Sequence, residues 1–551
     1  MQKLKFRYVL LITIFIAFNS LPVFSGLPRK IYNASGFSVS KGEKDTVAIK
    51  YSKTITKEDL SRHLHILASD EYEGRETGME GQKKAAKYIS EHYAQIGIPP
   101  LPSAVEADSN YYQEFPLVLQ SPYGAEISVN NIKYEFLKDF YYFSGFNDTN
   151  IVRNNIVFLG YGISDKNYDD YKNVDVSGKI VLIFNGEPIN KDSISYITSS
   201  RSSSGWSKNW RKKVQTAKEN NALALLVIVD DFESKLNNVR HWVEKSSMKL
   251  EGKIPSKRIP NFYISIKMAN ALFSSANIKG DAISIRKKID KKGKPTSFNL
   301  KTDIVIDVSR KSEKISSENV LGYIEGSDLK DELLIMTAHY DHIGMDGEKI
   351  YNGADDDGSG TVAIMELAEA FAKAKKGGHG PRRSVLFMAV SGEEKGLLGS
   401  RYYTDNPVFA LENTIADLNI DMIGRLDSMH RDNPNYIYLI GSDRLSTDLH
   451  NISEEANKLY TNLELDYTFN IPNDPNRFYY RSDHYNFAKN NIPVIFYFNG
   501  VHEDYHKPTD TVDKINFDKI EKITRLVFFT AWELVNRDER ITVDFMEEPD
   551  E

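Results

Sequence analysis

The 551-residue chain contains no cysteine. That excludes cysteine proteases, zinc ribbons, a cysteine-linked lipid anchor and any stabilising disulfide. It also lacks an excess of positive charge. The 70 Lys and Arg against 77 Asp and Glu leave a net charge of −7, which gives no electrostatic footprint for nucleic acid. Long apolar runs are scarce as well. After "YVLLITIFIAF" (Tyr8 to Phe18), no stretch is long and apolar enough to span a bilayer. What remains is 41% apolar and 27% charged, a globular composition, over a length that requires two or more domains.

The first 25 residues stand apart. Lys3, Lys5 and Arg7 precede the apolar run, and Val23 and Ser25 take the −3 and −1 positions of a signal-peptidase site. This predicts a signal peptide over residues 1–25. The mature protein is then exported to the periplasm, a surface or the medium, with no membrane span after cleavage. Nothing in the sequence fixes the oligomeric state.

Residues 26–53 read as a polar lead-in. From Thr56, "TKEDLSRHLHILAS" spaces Leu60, Leu64 and Leu67 as one helical face, with Thr56 and Asp59 as a capping box. "EGRETGMEG" is a Gly-rich loop. "QKKAAKYISEHYAQIG" is a second amphipathic helix, stopped at Gly97 before Pro99 and Pro100. Residues 121–299 read as an inserted β-rich domain, with strands at "NNIVFLGYGI", "GKIVLIFNGEP" and "ALALLVIVDD", a helix at "SKNWRKKVQTAKEN", and the basic tract Lys287 to Pro295 as a solvated exit linker. From Asn319 near-continuous apolar strands recur, some separated by helices such as "TVAIMELAEAFAKAKK". Residues 54–120 and 300–540 therefore form an α/β domain with a mainly parallel mixed sheet flanked by helices.

Metal-ligand residue types fall at the carboxyl ends of those strands, where α/β sheets hold ligands. They are His339, Asp356, Glu394, Asp421 and His506. Two imidazoles and three carboxylates suffice for two metals if one carboxylate bridges. Residues i and i+2 on a strand share a face, so Asp341, two residues after His339, is expected to reach back and orient that imidazole. Glu393 beside Glu394 is unfavourable unless a cation offsets the pair or one is protonated; a division of labour fits, with Glu394 as ligand and Glu393 as general base. In "GADDDGSG", Asp355, Asp357, Ser359, Gly360, Val362 and Glu366 also match an EF-hand register, but an extended, Gly-broken stretch precedes the loop where an EF-hand needs a helix. Asp483 and His484 in "RSDHYNF" are further candidates for the border of the site.

The ordered set "HYDH", "GADDDGSG", "SGEEKGLLGS", "NIDMIG" and "HKPTDT" resembles the zinc-dependent aminopeptidases of peptidase family M28. The resemblance covers Thr56 to about Gly97 and Asn319 to about Asn536. The block containing "GYGISDKNYDDYKNVDVSGKIVLIFNGEP" resembles the protease-associated (PA) domain inserted in many such enzymes. The resemblance implies a zinc exopeptidase fold and two Zn2+ ions. His339 and Asp421 would hold one ion, Glu394 and His506 the other, and Asp356, counted back four residues from Gly360, would bridge them. Glu393 would be the base for a water between the metals, Asp341 the orienter of His339, and the Asp356–Asp357 peptide cis. Peptides or proteins would be the substrates. Carboxypeptidases, dipeptidases, one-zinc glutaminyl cyclases and non-catalytic binding proteins share the fold; the five-ligand set disfavours the last two.

Overall fold

The computed structural model describes residues 43–101, 111–252 and 258–547. The expected signal peptide and residues 26–42 of the lead-in lie outside them. Every residue of the strands Arg383–Val390, Thr414–Ile420 and Val494–Phe498 is buried, the pattern of strands covered on both faces. These strands and Leu329–His339 form the parallel centre of a nine-stranded sheet. Its order is Ser247–Leu250, Tyr112–Gln120, Ser312–Ile324, Arg383–Val390, Leu329–His339, Thr414–Ile420, Val494–Phe498, Tyr436–Ile440, Glu464–Asp466. Ser312–Ile324 and Tyr436–Ile440 join the centre antiparallel.

The helices Lys57–Leu67, Glu80–Gln95, Gly360–Lys376 and Phe517–Asn536 share one apolar core with this sheet. Thr56 caps the first, its hydroxyl accepting from the Asp59 amide. The lead-in does not stay irregular up to residue 53. Thr46–Ser52 is a helix, capped by Asp45, that buries Ala48 and Tyr51 in the same core. Seven residues are too few to display a period, and the helix is held by docking: Trp532 Nε1 donates to Asp45 Oδ2 at 2.8 Å.

A second, eight-stranded sheet spans Ala125 to Val308 and carries an apolar cluster on each side. The expected boundary at 299/300 falls inside its long strand Ser297–Val308, which pairs with Thr149–Leu159 and Ala125–Val129. The chain changes sheets between Val308 and Ser312. The basic tract is not a linker. It belongs to the helix Ala282–Lys292, which buries Ile285 and Ile289 while its lysines face water. The helix expected over "SKNWRKKVQTAKEN" is broken at Asn209, whose side chain caps Trp210–Glu219. One strand of the inserted segment, Ser247–Leu250, leaves the second sheet and pairs with Tyr112–Gln120 at the edge of the first.

Candidate metal centre

The main strands end where the candidate ligands begin. His339 closes Leu329–His339, Glu393 and Glu394 follow Arg383–Val390 by three and four residues, and Asp421 follows Thr414–Ile420 directly. His506 comes from the loop after Val494–Phe498, and Asp356 from the turn before the helix Gly360–Lys376. Parallel packing therefore delivers five separated residues to one sheet edge.

The five converge on two points. His339 Nε2 lies 3.3 Å from Asp356 Oδ1 and 3.6 Å from Asp421 Oδ1. His506 Nε2 lies 3.1 Å from Asp356 Oδ2 and 3.4 Å from Glu394 Oε1. The two Asp356 oxygens thus face different donor sets. Glu393 Oε2 stands 3.9 Å from His339 Nε2, beside the first set.

The three consecutive aspartates separate by their partners. Asp355 accepts from the Gly424 amide at 2.6 Å and faces His502 Nε2 at 3.3 Å. Asp357 accepts from the amides of Gly360 (2.8 Å), Met422 (3.0 Å) and His339 (3.2 Å). Asp356 is left to point inward, while Asp510 Oδ2 accepts from the Asp355 and Asp356 amides at 3.0 and 3.2 Å. The Asp356–Asp357 peptide is cis. Gly353, at φ +54°, is needed here, because a Cβ on it would come within 2.5 Å of the His342 ring. The short strand Lys349–Tyr351, not a helix, enters this loop, so it is not an EF-hand. Arg75 of "EGRETG" is buried and donates to the carbonyls of Tyr340, Leu67, Asn352 and Gly353 at 2.7–2.8 Å, bracing both ligand loops.

Two expectations about neighbouring residues change. The Asp341 carboxylate does not hydrogen-bond His339, from which it is 3.9 Å away. His339 Nδ1 instead donates to the Asp341 backbone carbonyl at 3.0 Å, which leaves Nε2 free for the cluster. The strand ends at His339, so the two residues no longer share a pleated face. The Asp341 carboxylate accepts from Thr77 Oγ1 at 2.6 Å and from the Glu393 amide at 3.2 Å, and so positions Glu393 rather than the imidazole. Asp483 and His484 do not line the cavity at the centre. Asp483 is buried, and burial pushes it up to about 7; His484 stacks on Phe496 with ring centres 4.7 Å apart.

Several residues of the site carried no signal of their own. His342, the second histidine of "HYDH", is buried with Nδ1 at 3.0 Å from Glu394 Oε1 and 3.8 Å from Asp356 Oδ2. The cavity wall beyond the carboxylates is Met422, Phe478, Phe496, Phe498, Val501 and Arg481. In the sequence these aromatics are indistinguishable from core residues of the same strands.

The donor set fits metal ions. Asp356 Oδ2, Glu394 Oε1 and Asp421 Oδ1 are buried and accept no aligned hydrogen bond, which is costly unless a cation is shared. The cluster's protonation has the same sense. Against burial, the imidazoles of His342, His339 and His506 hold Asp356 well below the carboxylate range. Against burial, Asp356 and Glu394 lift His506 to about 10. Imidazole nitrogen and carboxylate oxygen are zinc's ligands in such folds.

Sheet order and donor set together define an α/β fold with a candidate metal centre at one sheet edge. Residues 319–531 match the model of peptidase family M28. Among curated proteins the chain is 38% identical over 113 residues to a probable zinc metalloprotease of Pyrenophora tritici-repentis, covering 20% of this chain and 22% of that one. It is 30% identical over 235 residues to a probable leucine aminopeptidase of Arthroderma otae, covering 41% of this chain and 60% of that one. The chain thus spans less than two thirds of either relative. Among solved structures, an aminopeptidase from Aneurinibacillus sp. strain AM-1 superimposes with a TM-score of 0.52 at 18% identity, over 91% of this chain and 98% of that one, which shows a shared fold.

Proposed function

We propose that this chain is an exported dizinc exopeptidase that removes N-terminal residues from peptides. The observation that carries the proposal is Asp356, whose two oxygens face separate histidine–carboxylate sets 3.1–3.3 Å away. His339, Asp421 and Asp356 would hold one ion; Glu394, His506 and Asp356 would hold the other. Two zinc ions would supply Lewis acidity toward the scissile carbonyl and acidify water. Glu393, placed by the Asp341 contact to its amide, would take a proton from the attacking water at its carboxylate and pass it to the leaving amine. The carboxylates around the centre favour a free α-amino group on the substrate, and the apolar wall from Phe478 to Val501 receives its side chain. The segment 121–311 is proposed as a PA-like insert that limits access to this centre.

Glu393→Gln should retain zinc while kcat falls by about three to four orders of magnitude, within the range for loss of a general base in a metal site. Near wild-type turnover would remove Glu393 from its role. Free and N-acetylated aminoacyl-anilides separate this reading from a carboxypeptidase or blocked-dipeptide hydrolase, because an aminopeptidase cleaves only the free series.

A further inference from the structure

The cavity wall holds one residue that the reaction above does not use. Arg481 lines the same cavity as His339, Asp356, Glu393, Asp421 and His506. Its neighbours fix where it stands. Its amide donates to the Phe478 carbonyl at 3.0 Å, closing the turn Phe478–Tyr480. The next residue, Ser482, donates from Oγ to Asp421 Oδ2 at 2.7 Å and accepts from Asn419 Nδ2 at 2.8 Å. The chain at Arg481 is therefore anchored, through the side chain of the next residue, to the Asp421 carboxylate.

The side chain is held differently. Nη2 donates to the Tyr505 hydroxyl at 3.3 Å, and the guanidinium lies 5.0 Å from the centre of the Phe478 ring. Tyr505 in turn stacks on the His506 imidazole with ring centres 3.8 Å apart. Among the described residues no carboxylate forms an ion pair with Arg481. Arg425, by contrast, sits 2.9 Å from Asp504, and Arg75 spends its donors on four carbonyls. An arginine on the wall of a catalytic cavity, braced by an aromatic ring and a hydroxyl, keeps most of its planar donor fork for a ligand.

We propose that Arg481 recognises a carboxylate of the substrate and is a specificity-determining residue of this peptidase; the proposal rests on the aminopeptidase reading. The apolar wall accepts a hydrocarbon stem and the guanidinium accepts an anionic end. That carboxylate has two possible sources: the side chain of an N-terminal acidic residue, or the terminal carboxylate of a very short peptide.

Two substrate pairs distinguish the sources. Glutamyl- and glutaminyl-p-nitroanilide differ only in the side-chain carboxylate. Leu-Leu and Leu-Leu-amide differ only in the terminal one. Wild-type enzyme should favour the carboxylate member of at least one pair by about tenfold or more in kcat/KM, the range of a charge-assisted contact. Arg481→Gln should erase that preference, leave the neutral member within about threefold and leave zinc content unchanged, and Arg481→Lys should restore part of it. The pair that responds names the source. Absence of preference in both pairs, or equal loss on charged and neutral members in Arg481→Gln, overturns the proposal while the aminopeptidase reading stands. A wild-type enzyme that holds zinc yet cleaves neither these substrates nor leucyl-p-nitroanilide overturns both.

Discussion

Asp355, Asp356 and Asp357 carry the same side chain, and their hydrogen bonds separate them. Asp355 and Asp357 spend their oxygens on loop amides and on His502, whereas Asp356 faces two donor sets. A bridging carboxylate has a distinct signature when removed. Asp356→Ala should lose both zinc ions after dialysis, because each set drops a donor, whereas Glu394→Ala should lose mainly the ion shared with His506. Inductively coupled plasma mass spectrometry on both variants checks this, and two retained ions in Asp356→Ala would remove the bridge. The residues brought together here were legible because acids and histidines gathered at the ends of buried strands are costly unless a shared cation offsets them. The contact made by Asp341 was not, because it depends on the backbone turning out of the strand at His339. Arg481 and the aromatic wall were equally silent: their role comes from position and not from residue type.

At the scale of one element, the helix Gly360–Lys376 begins at the metal loop and packs against Lys57–Leu67 and Glu80–Gln95. Its periodic apolar face made it readable in the sequence, and its polar interior did not show. Glu366, which completed the EF-hand register, is buried; its Oε1 is 3.8 Å from His63 Nε2. Burial, with the Glu369 and Asp59 carboxylates and against Lys373 and Arg62, pushes Glu366 up to about 8. Burial, with His92 and Arg62 adding to it, lowers His63 to about 3. Both groups are therefore neutral together near pH 6. For Glu366 the folded state holds the proton that the unfolded chain releases near its ordinary value of 4.5. Its contribution to stability consequently falls as pH rises from about 4.5 to 8, by up to about 1.4 kcal/mol per unit. The His63 contribution runs the other way, rising between about 3 and 6.5. Glu366→Gln keeps the shape and removes the titration. The melting temperature of the variant relative to wild type should climb between pH 5.5 and 8.5, read by scanning calorimetry. A difference that does not change with pH would show that Glu366 does not titrate in this window.

At the scale of the whole molecule, the connection between the two sheets decides what can be tested. The inserted segment leaves the main sheet at Gln120 and returns at Ser312, and those two residues are direct antiparallel partners. Its β-rich character was legible from short apolar strands between Gly, Asn and Asp. Its return point was not, because the long strand Ser297–Val308 alternates buried and exposed residues as an edge strand of either sheet would. Nor was the strand Ser247–Leu250, whose Leu250 covers Phe115, Leu117 and Leu398. Leu398 lies four residues beyond Glu394, so the insert touches the segment that carries Glu393 and Glu394, the proposed base and metal ligand. Excising residues 121–311 and joining Gln120 to Ser312 through Asn-Gly matches a two-residue hairpin to the paired ends. The shortened protein should fold, retain zinc and cleave leucyl-p-nitroanilide, with a lower melting temperature because Leu117 and its neighbours lose their cover. If the insert limits access, the ratio of kcat/KM for a ten-residue peptide to that for a tripeptide should rise several-fold on excision. An unchanged ratio in a protein that still binds zinc would leave the insert a structural cover over the Tyr112–Gln120 edge and remove its proposed role as a gate.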